Sequence, residues 1–175
     1  RGSFEYQGQK CSAASRAYIP ESIWDETKKH MLKMISEINV GDVTDFKNPV
    51  NSVIDEASFD KIMSCLEKVK SSGDAKIIAG GTGDKSKGYF IEPTVVVTDN
   101  PHFFTMEEEI FGPVMTIYIY NDDHFDETLK LCDETSPYGL TGSIFSNDKY
   151  AMIKACRVLR YSAGNFYIND KPTGA

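Results

Sequence analysis

The spacing of apolar residues predicts two long helices in the first half of the chain. After Pro20, apolar side chains recur every three or four positions, and Gly41 lies just beyond the last of them. A second run with the same spacing covers residues 55–69 and ends before Gly73. The apolar positions are Ile23, Trp24, Met31, Met34, Ile35 and Ile38 in the first helix and Phe59, Ile62, Met63, Leu66 and Val69 in the second. Each helix therefore carries one apolar face.

Runs rich in β-branched and aromatic residues predict the strands. They cover residues 15–19, 76–79, 89–91, 94–97, 114–120, 142–145 and 165–168. Pro93 favours an edge position for the strands beside it, because proline cannot donate to a neighbouring strand. Further helices are predicted over residues 123–134 and 148–159. Strand and helix alternate, so the expected fold is α/β, a mostly parallel sheet with flanking helices.

Composition narrows the class of protein. The 175 residues are 41% hydrophobic and 26% charged, which is typical of one globular domain. A net charge of -7 argues against a nucleic-acid partner, because such binding depends on clustered lysine and arginine. No apolar run approaches the length of a membrane span. The glycines of residues 80–88 lead into β structure, so they predict a polar hairpin turn and not a phosphate-binding loop.

The four cysteines and three histidines are widely scattered. Their spacing indicates neither a disulfide framework nor a metal site, and it favours a reducing compartment. Cys11 differs from the others because it lies in a run of small and polar residues, Gly8 to Ser15. Backbone N–H groups in such a loop can lower a thiol pKa and hold an oxyanion. The alternative, a buried structural cysteine, is the commoner case for an isolated cysteine; Cys65, Cys132 and Cys156, on predicted helices, are assigned to core packing.

Two motifs resemble the aldehyde dehydrogenase family. The run Gly8-Gln9-Lys10-Cys11-Ser12-Ala13, with Phe4 before it, resembles the active-site cysteine signature of that family. Glu108-Glu109-Ile110-Phe111-Gly112-Pro113 resembles its second hallmark, E-E-x-F-G-P. The similarity continues through residues 138–142 and 164–171, so it covers essentially the whole chain. The residues of these motifs most resemble those of one branch of the family. That branch oxidises glutamate 5-semialdehyde, formed from 1-pyrroline-5-carboxylate, in proline breakdown.

The resemblance implies roles for particular residues. Cys11 would be the nucleophile that forms a thiohemiacetal and then a thioester. Glu109 would bind the nicotinamide ribose of NAD, and Phe111 would pack beside the nicotinamide ring. Ser12 would offer its hydroxyl to the carboxylate of the substrate. The alternatives are a solvated acidic cluster for Glu109, a core aromatic for Phe111 and a turn-capping residue for Ser12.

The resemblance also implies that residues 1–175 are a catalytic domain truncated at both ends. The NAD-binding domain, the general-base glutamate and the oxyanion-hole asparagine of the family have no counterpart in this sequence. We therefore expect the 175 residues alone to be inactive, although the parent would be an NAD-dependent enzyme and a homo-oligomer. In a eukaryote that parent would act in the mitochondrial matrix, and otherwise in the cytoplasm. Two alternatives stay open, another aldehyde dehydrogenase subfamily and a non-catalytic assembly domain.

Overall fold

The structure, a computed structural model, describes residues 1–172 and contains eight strands and five α-helices in that range. The last three residues of the predicted domain, 173–175, lie outside it. The strands are β1 (Arg16–Pro20), β2 (Ala75–Ala79), β3 (Gly83–Asp84), β4 (Phe90–Ile91), β5 (Thr94–Thr98), β6 (Val114–Tyr120), β7 (Thr141–Ile144) and β8 (Asn165–Ile168). The helices are α1 (Glu21–Ser36), α2 (Glu56–Ser71), α3 (Phe104–Glu107), α4 (Phe125–Glu134) and α5 (Lys149–Val158). Two 3₁₀ turns precede β1 and α4, at Glu5–Gly8 and Asp122–His124.

A four-stranded sheet forms the centre of the protein, in the order β1-β6-β5-β2. The pairs β1–β6 and β5–β6 are parallel, and β2 joins β5 in antiparallel orientation. A separate parallel pair joins β7 and β8, and β3 and β4 form a small antiparallel hairpin around the polar loop. The predicted α/β fold with a mostly parallel sheet is therefore confirmed.

The prediction that the strands beside Pro93 lie at an edge is wrong for β5. This strand lies between β6 and β2 and is almost entirely buried. Pro93 comes one residue before the strand begins, so its missing N–H removes no bond from the ladder. The first ladder position is filled by Thr94, whose N–H donates to the carbonyl of Pro113 at 2.8 Å.

The two predicted amphipathic helices pack on opposite faces of this sheet. Val95 and Ile117 point towards α1, and Val96 and Val114 point towards α2, as the alternation of side chains along a strand requires. Four apolar residues of α2 are buried: Phe59, Ile62, Leu66 and Val69. The first turn of α2 is capped by Asp55, whose carboxylate accepts from the N–H of Ser58 at 2.7 Å, and this bond lowers the pKa of Asp55.

Two parts of the fold carry too little sequence pattern to be predicted. The helix α3 has only four residues, about one turn, which is too short for an apolar period to show. Residues 37–55 form no regular element, but isolated bridges from Val40 to Val50 and from Ser52 to Phe90 fix their course.

A third small core lies between α4, α5 and the β7–β8 pair. None of the helices within residues 1–172 has the length and apolar character needed to cross a bilayer.

Candidate active site

Cys11 lies at the corner of an exposed turn. The N–H of Ala13 donates to the carbonyl of Lys10 at 3.0 Å, which places Cys11 and Ser12 at the two central positions. The chain enters this turn through Tyr6, Gln7 and Gly8, whose φ angles of 55°, 57° and 66° are all left-handed. Residues other than glycine seldom adopt this conformation, and it concentrates at functional sites. The loop predicted around Cys11 is therefore a tight turn.

Gly8 brings the cysteine turn against the second motif. A Cβ atom added at Gly8 would lie 2.2 Å from the carbonyl oxygen of Gly112 and 3.0 Å from that of Ser3. Both neighbours are backbone atoms, so no side chain could move aside. Only a glycine allows the two segments to approach this closely, and the approach joins the two motifs, which are about a hundred residues apart in the chain.

The segment from Glu109 to Phe111 alternates between core and solvent. Ile110 is buried in the core beside α2, whereas Glu109 and Phe111 are exposed. The Nζ atom of Lys61 on α2 donates to the carbonyl of Glu109 at 3.3 Å. Phe111 has a left-handed φ of 60° and remains 44% exposed. The alternative interpretation of Phe111 as a core aromatic is therefore wrong.

Three of the four predicted site residues line one cleft. This cleft has a volume of about 1290 Å³, and its walls include Cys11, Glu109 and Phe111. Residues 138–146 also line this cleft, together with Phe166 and Asn169. Ser12 lies at the neighbouring corner of the turn, half-buried, and its carbonyl accepts from Oγ1 of Thr141 at 3.1 Å. That bond ties the cysteine turn to the 138–142 motif.

Two charged side chains, those of Lys10 and Arg16, form contacts close to the turn. Lys10 forms an ion pair with Glu5 at 3.3 Å, and the hydrogen bond and charge of Lys10 lower the pKa of Glu5. Arg16 extends from β1 and donates to the carbonyl of Tyr138 at 3.5 Å. The contact of Lys61 with Glu109 and that of Thr141 with Ser12 could not be predicted from the sequence, because each joins residues far apart in the chain.

The four thiols occupy different environments, and all four are free. Cys11 is exposed, whereas Cys65 and Cys132 pack against two of the cores, as predicted. Burial raises the pKa of Cys65 to about 11 and also raises that of Cys132. Cys156 differs from the prediction, because it lies beside a shallow groove on α5 with Met152 and Ile153.

We expect Cys11 to react first with a small alkylating agent at pH 8. At that pH about one Cys65 thiol in a thousand is ionised, given its pKa of about 11, and only the thiolate reacts. The rate at each cysteine is measured by peptide mass spectrometry after timed exposure to iodoacetamide, with the Cys11→Ala variant as the control. Raising the pH from 8 to 10 should speed labelling of Cys65 about 100-fold, because the ionised fraction of its thiol rises by that factor. Labelling of Cys65 before Cys11 at pH 8 would contradict this assignment.

The residues of the cleft fit one end of a nicotinamide cofactor. The exposed carboxylate of Glu109 offers two acceptor oxygens, which suit the paired hydroxyls of a ribose, and the exposed ring of Phe111 offers a flat apolar surface. Within residues 1–172 no cluster of histidine, cysteine or carboxylate side chains could hold a metal ion.

Comparison with known proteins agrees with the similarity seen in the motifs. The profile described as "Aldehyde dehydrogenase family" matches residues 1–175. The mitochondrial delta-1-pyrroline-5-carboxylate dehydrogenases of Dictyostelium discoideum and Homo sapiens are 57% and 51% identical over 100% of this chain. A crystal structure of the Mycobacterium tuberculosis delta-pyrroline-5-carboxylate dehydrogenase bound with NAD superposes with a TM-score of 0.92 at 41% identity over 100% of the chain. The chain spans 31% of the length of each of these proteins.

Proposed function

Because the chain belongs to the aldehyde dehydrogenase family, we propose that it provides the nucleophile of an enzyme that oxidises glutamate 5-semialdehyde to glutamate with NAD. The observation that carries the proposal is the position of Cys11, exposed in a cleft that also contains Glu109 and Phe111. The named activity of the similar proteins supports the choice of substrate. Their mitochondrial names support the mitochondrion as the site of action in a eukaryote.

In this proposal Cys11 converts one difficult oxidation into two easier steps. Its thiolate adds to the aldehyde carbon and forms a carbon–sulfur bond, which leaves a tetrahedral oxyanion on the former carbonyl oxygen. NAD, when bound, supplies the acceptor for the hydride that this carbon loses. The carbon is then joined to Cys11 as a thioester. Water adds to the thioester, the carbon–sulfur bond breaks, and glutamate leaves while the Cys11 thiolate is restored.

The remaining site residues act by binding. Glu109 accepts hydrogen bonds from the ribose hydroxyls, and Lys61 fixes the main chain of Glu109 through its carbonyl. Phe111 packs its exposed ring against the nicotinamide. Together these residues orient the cofactor beside Cys11, and the rest of its binding surface would come from the part of the longer relatives that this chain does not span.

Ser12 selects a substrate that carries a carboxylate. Ser12 directly follows the nucleophile in the sequence. The bond from Thr141 to the carbonyl of Ser12 limits how far this corner of the turn can move. A hydroxyl that donates to the carboxylate favours a substrate that carries this group over one that lacks it.

Residues 1–175 would form the cysteine-bearing catalytic domain of the enzyme. Apolar cores flank the four-stranded sheet on both faces, and the cysteine turn meets the second motif where Gly8 approaches Gly112. The 175 residues would bind substrate and form the thiohemiacetal, and the longer polypeptide would complete the cofactor site.

The test is NADH formation by the complete protein from glutamate 5-semialdehyde, compared with an uncharged aldehyde of equal chain length. We expect a preference for the semialdehyde in kcat/KM, and we expect Ser12→Ala to reduce that preference about 10-fold or more, because an unpaired carboxylate binds poorly. The matched control is Ser64→Ala, an exposed serine on α2. Absence of NADH with any aldehyde would favour the non-catalytic alternative, and equal use of both aldehydes would favour another subfamily.

A further inference from the structure

Two glutamines on the approach to Cys11 form hydrogen bonds with residues 51–54. The Oε1 atom of Gln9 accepts a hydrogen bond from the N–H of Ile54 at 2.8 Å. Gln7 is only 5% exposed; with its amide oriented to suit both neighbours, it donates to the carbonyl of Tyr6 and accepts from the N–H of Asn51 at 2.6 Å. Both side chains therefore fasten the cysteine turn to the main chain of a separate segment.

The segment that receives these bonds is itself firmly held. Val53 is 2% exposed in the core beside α2, and its N–H donates to the carbonyl of Tyr89 at 2.9 Å. Ser52 forms a bridge with Phe90 of β4. The Nδ2 atom of Asn51 donates to the carbonyl of Gly41 at 3.0 Å. Residues 51–54 are thus a fixed support, and the glutamine bonds transmit that rigidity to the turn.

The turn needs such a support because its backbone is strained. Tyr6 and Gln7 both hold left-handed φ angles, which their side chains disfavour. Such a conformation persists only where surrounding contacts enforce it. The close contact between Gly8 and Gly112 leaves no room for movement in that direction. The two glutamine bonds tie the same stretch of backbone to residues 51–54.

We propose that Gln7 and Gln9 are positioning residues. They hold the backbone of residues 6–9 so that the Cys11 thiol lies in the cleft beside the carbonyl carbon of the substrate. The inference rests on the proposed role of Cys11 as nucleophile. Neither glutamine touches the reacting atoms. Each acts through the backbone by setting where the turn from Lys10 to Ala13 lies.

The most informative variant is Gln9→Met, which keeps the length of the side chain and removes the acceptor. Ile54 is 76% exposed, so water can replace the lost oxygen and the melting temperature should stay close to that of the parent. We expect kcat for semialdehyde oxidation by the complete protein to fall about 10-fold, because small misplacements of a nucleophile have large effects on rate. The KM for NAD should change less than about 2-fold.

Gln9→Glu is the matched variant, because a carboxylate oxygen can still accept from Ile54. Its added charge can alter the ionisation of Cys11, so each kcat is taken from the high-pH plateau of its own pH–rate profile. We expect Gln9→Glu to retain at least about one third of the parent kcat at that plateau. Loss of kcat in Gln9→Met together with recovery in Gln9→Glu would support the positioning role.

Two other outcomes would overturn it. Equal loss in both variants would mean that the acceptor oxygen is not the cause, and an unchanged kcat in Gln9→Met would mean that the bond to Ile54 does not position Cys11. Failure of the proposed function would be seen in a different variant, because Cys11→Ser would then retain the activity of the parent. The same set of variants therefore separates the two failures.

Discussion

Replacing Cys11 with alanine is expected to lower kcat/KM for aldehyde oxidation by about 10³-fold or more, because the reaction then has no atom to carry the acyl group. Cys11 is exposed at the corner of a turn and contributes no core packing, so the melting temperature should not change. The loss would therefore be one of chemistry and not of folding. The measurement is NADH formation by the complete protein under saturating NAD, with thermal unfolding followed in parallel.

Cys156→Ala is the matched control for this prediction. That cysteine is also free, but it lies beside a separate groove on α5 and away from the cleft. Its substitution should leave kcat/KM within about 2-fold of the parent. In the parent protein, rapid acid quenching should trap the acyl group on the peptide that contains Cys11. Activity at the parental level in Cys11→Ala, or an acyl group on another cysteine, would contradict the assignment of the nucleophile.

Replacing Gly8 with alanine is expected to damage both stability and activity. The new Cβ would meet two backbone carbonyl oxygens, at 2.2 Å and 3.0 Å, and the φ of 66° adds its own cost for a residue with a side chain. Strain and displacement of this kind should lower the free energy of unfolding by about 2–4 kcal/mol. The turn must then move away from Gly112, so kcat should fall about 10²-fold in whatever fraction of the protein remains folded.

Gly73→Ala provides the comparison for Gly8→Ala. A Cβ at Gly73, in the loop before β2, would have no atom within 4 Å, and its φ is not left-handed. The free energy of unfolding should therefore change by less than about 0.5 kcal/mol. Urea unfolding of both variants, at equal protein concentration, measures the difference. If Gly8→Ala unfolded at the same urea concentration as Gly73→Ala, the close approach to Gly112 would not hold the cysteine turn.

The local elements were largely predictable because their signals are local. The apolar period of α2 follows from side chains three and four positions apart, and the residues that it marks are those that the structure buries, Met63 excepted, which is partly buried. The run of residues 114–120 coincides with β6 to the residue, and that of residues 165–168 with β8. The short helix α3 was missed because a single turn is too short for the apolar period to repeat.

Strand position was not predictable from Pro93. Whether proline interrupts a ladder depends on which strand lies beside it, and the partners of β5 are β6, about twenty residues later, and β2, about twenty residues earlier. The same limit applies to residues 37–55. Their course depends on bridges to other parts of the chain, and a sequence window contains no signal for such partners.

The sequence by itself determined the α/β class, the principal helices and strands, and the two motifs that carry the family resemblance. Each of these features depends on residues that are close together in the chain. Only the tertiary structure decided how these parts meet. It placed Gly8 against Gly112, Lys61 on the carbonyl of Glu109, and Gln9 on the N–H of Ile54. Each contact joins segments more than forty residues apart, so it depends on how the sheet and its two helices pack. The chemistry of Cys11 can be inferred from its motif, but its position in the cleft is set by that packing.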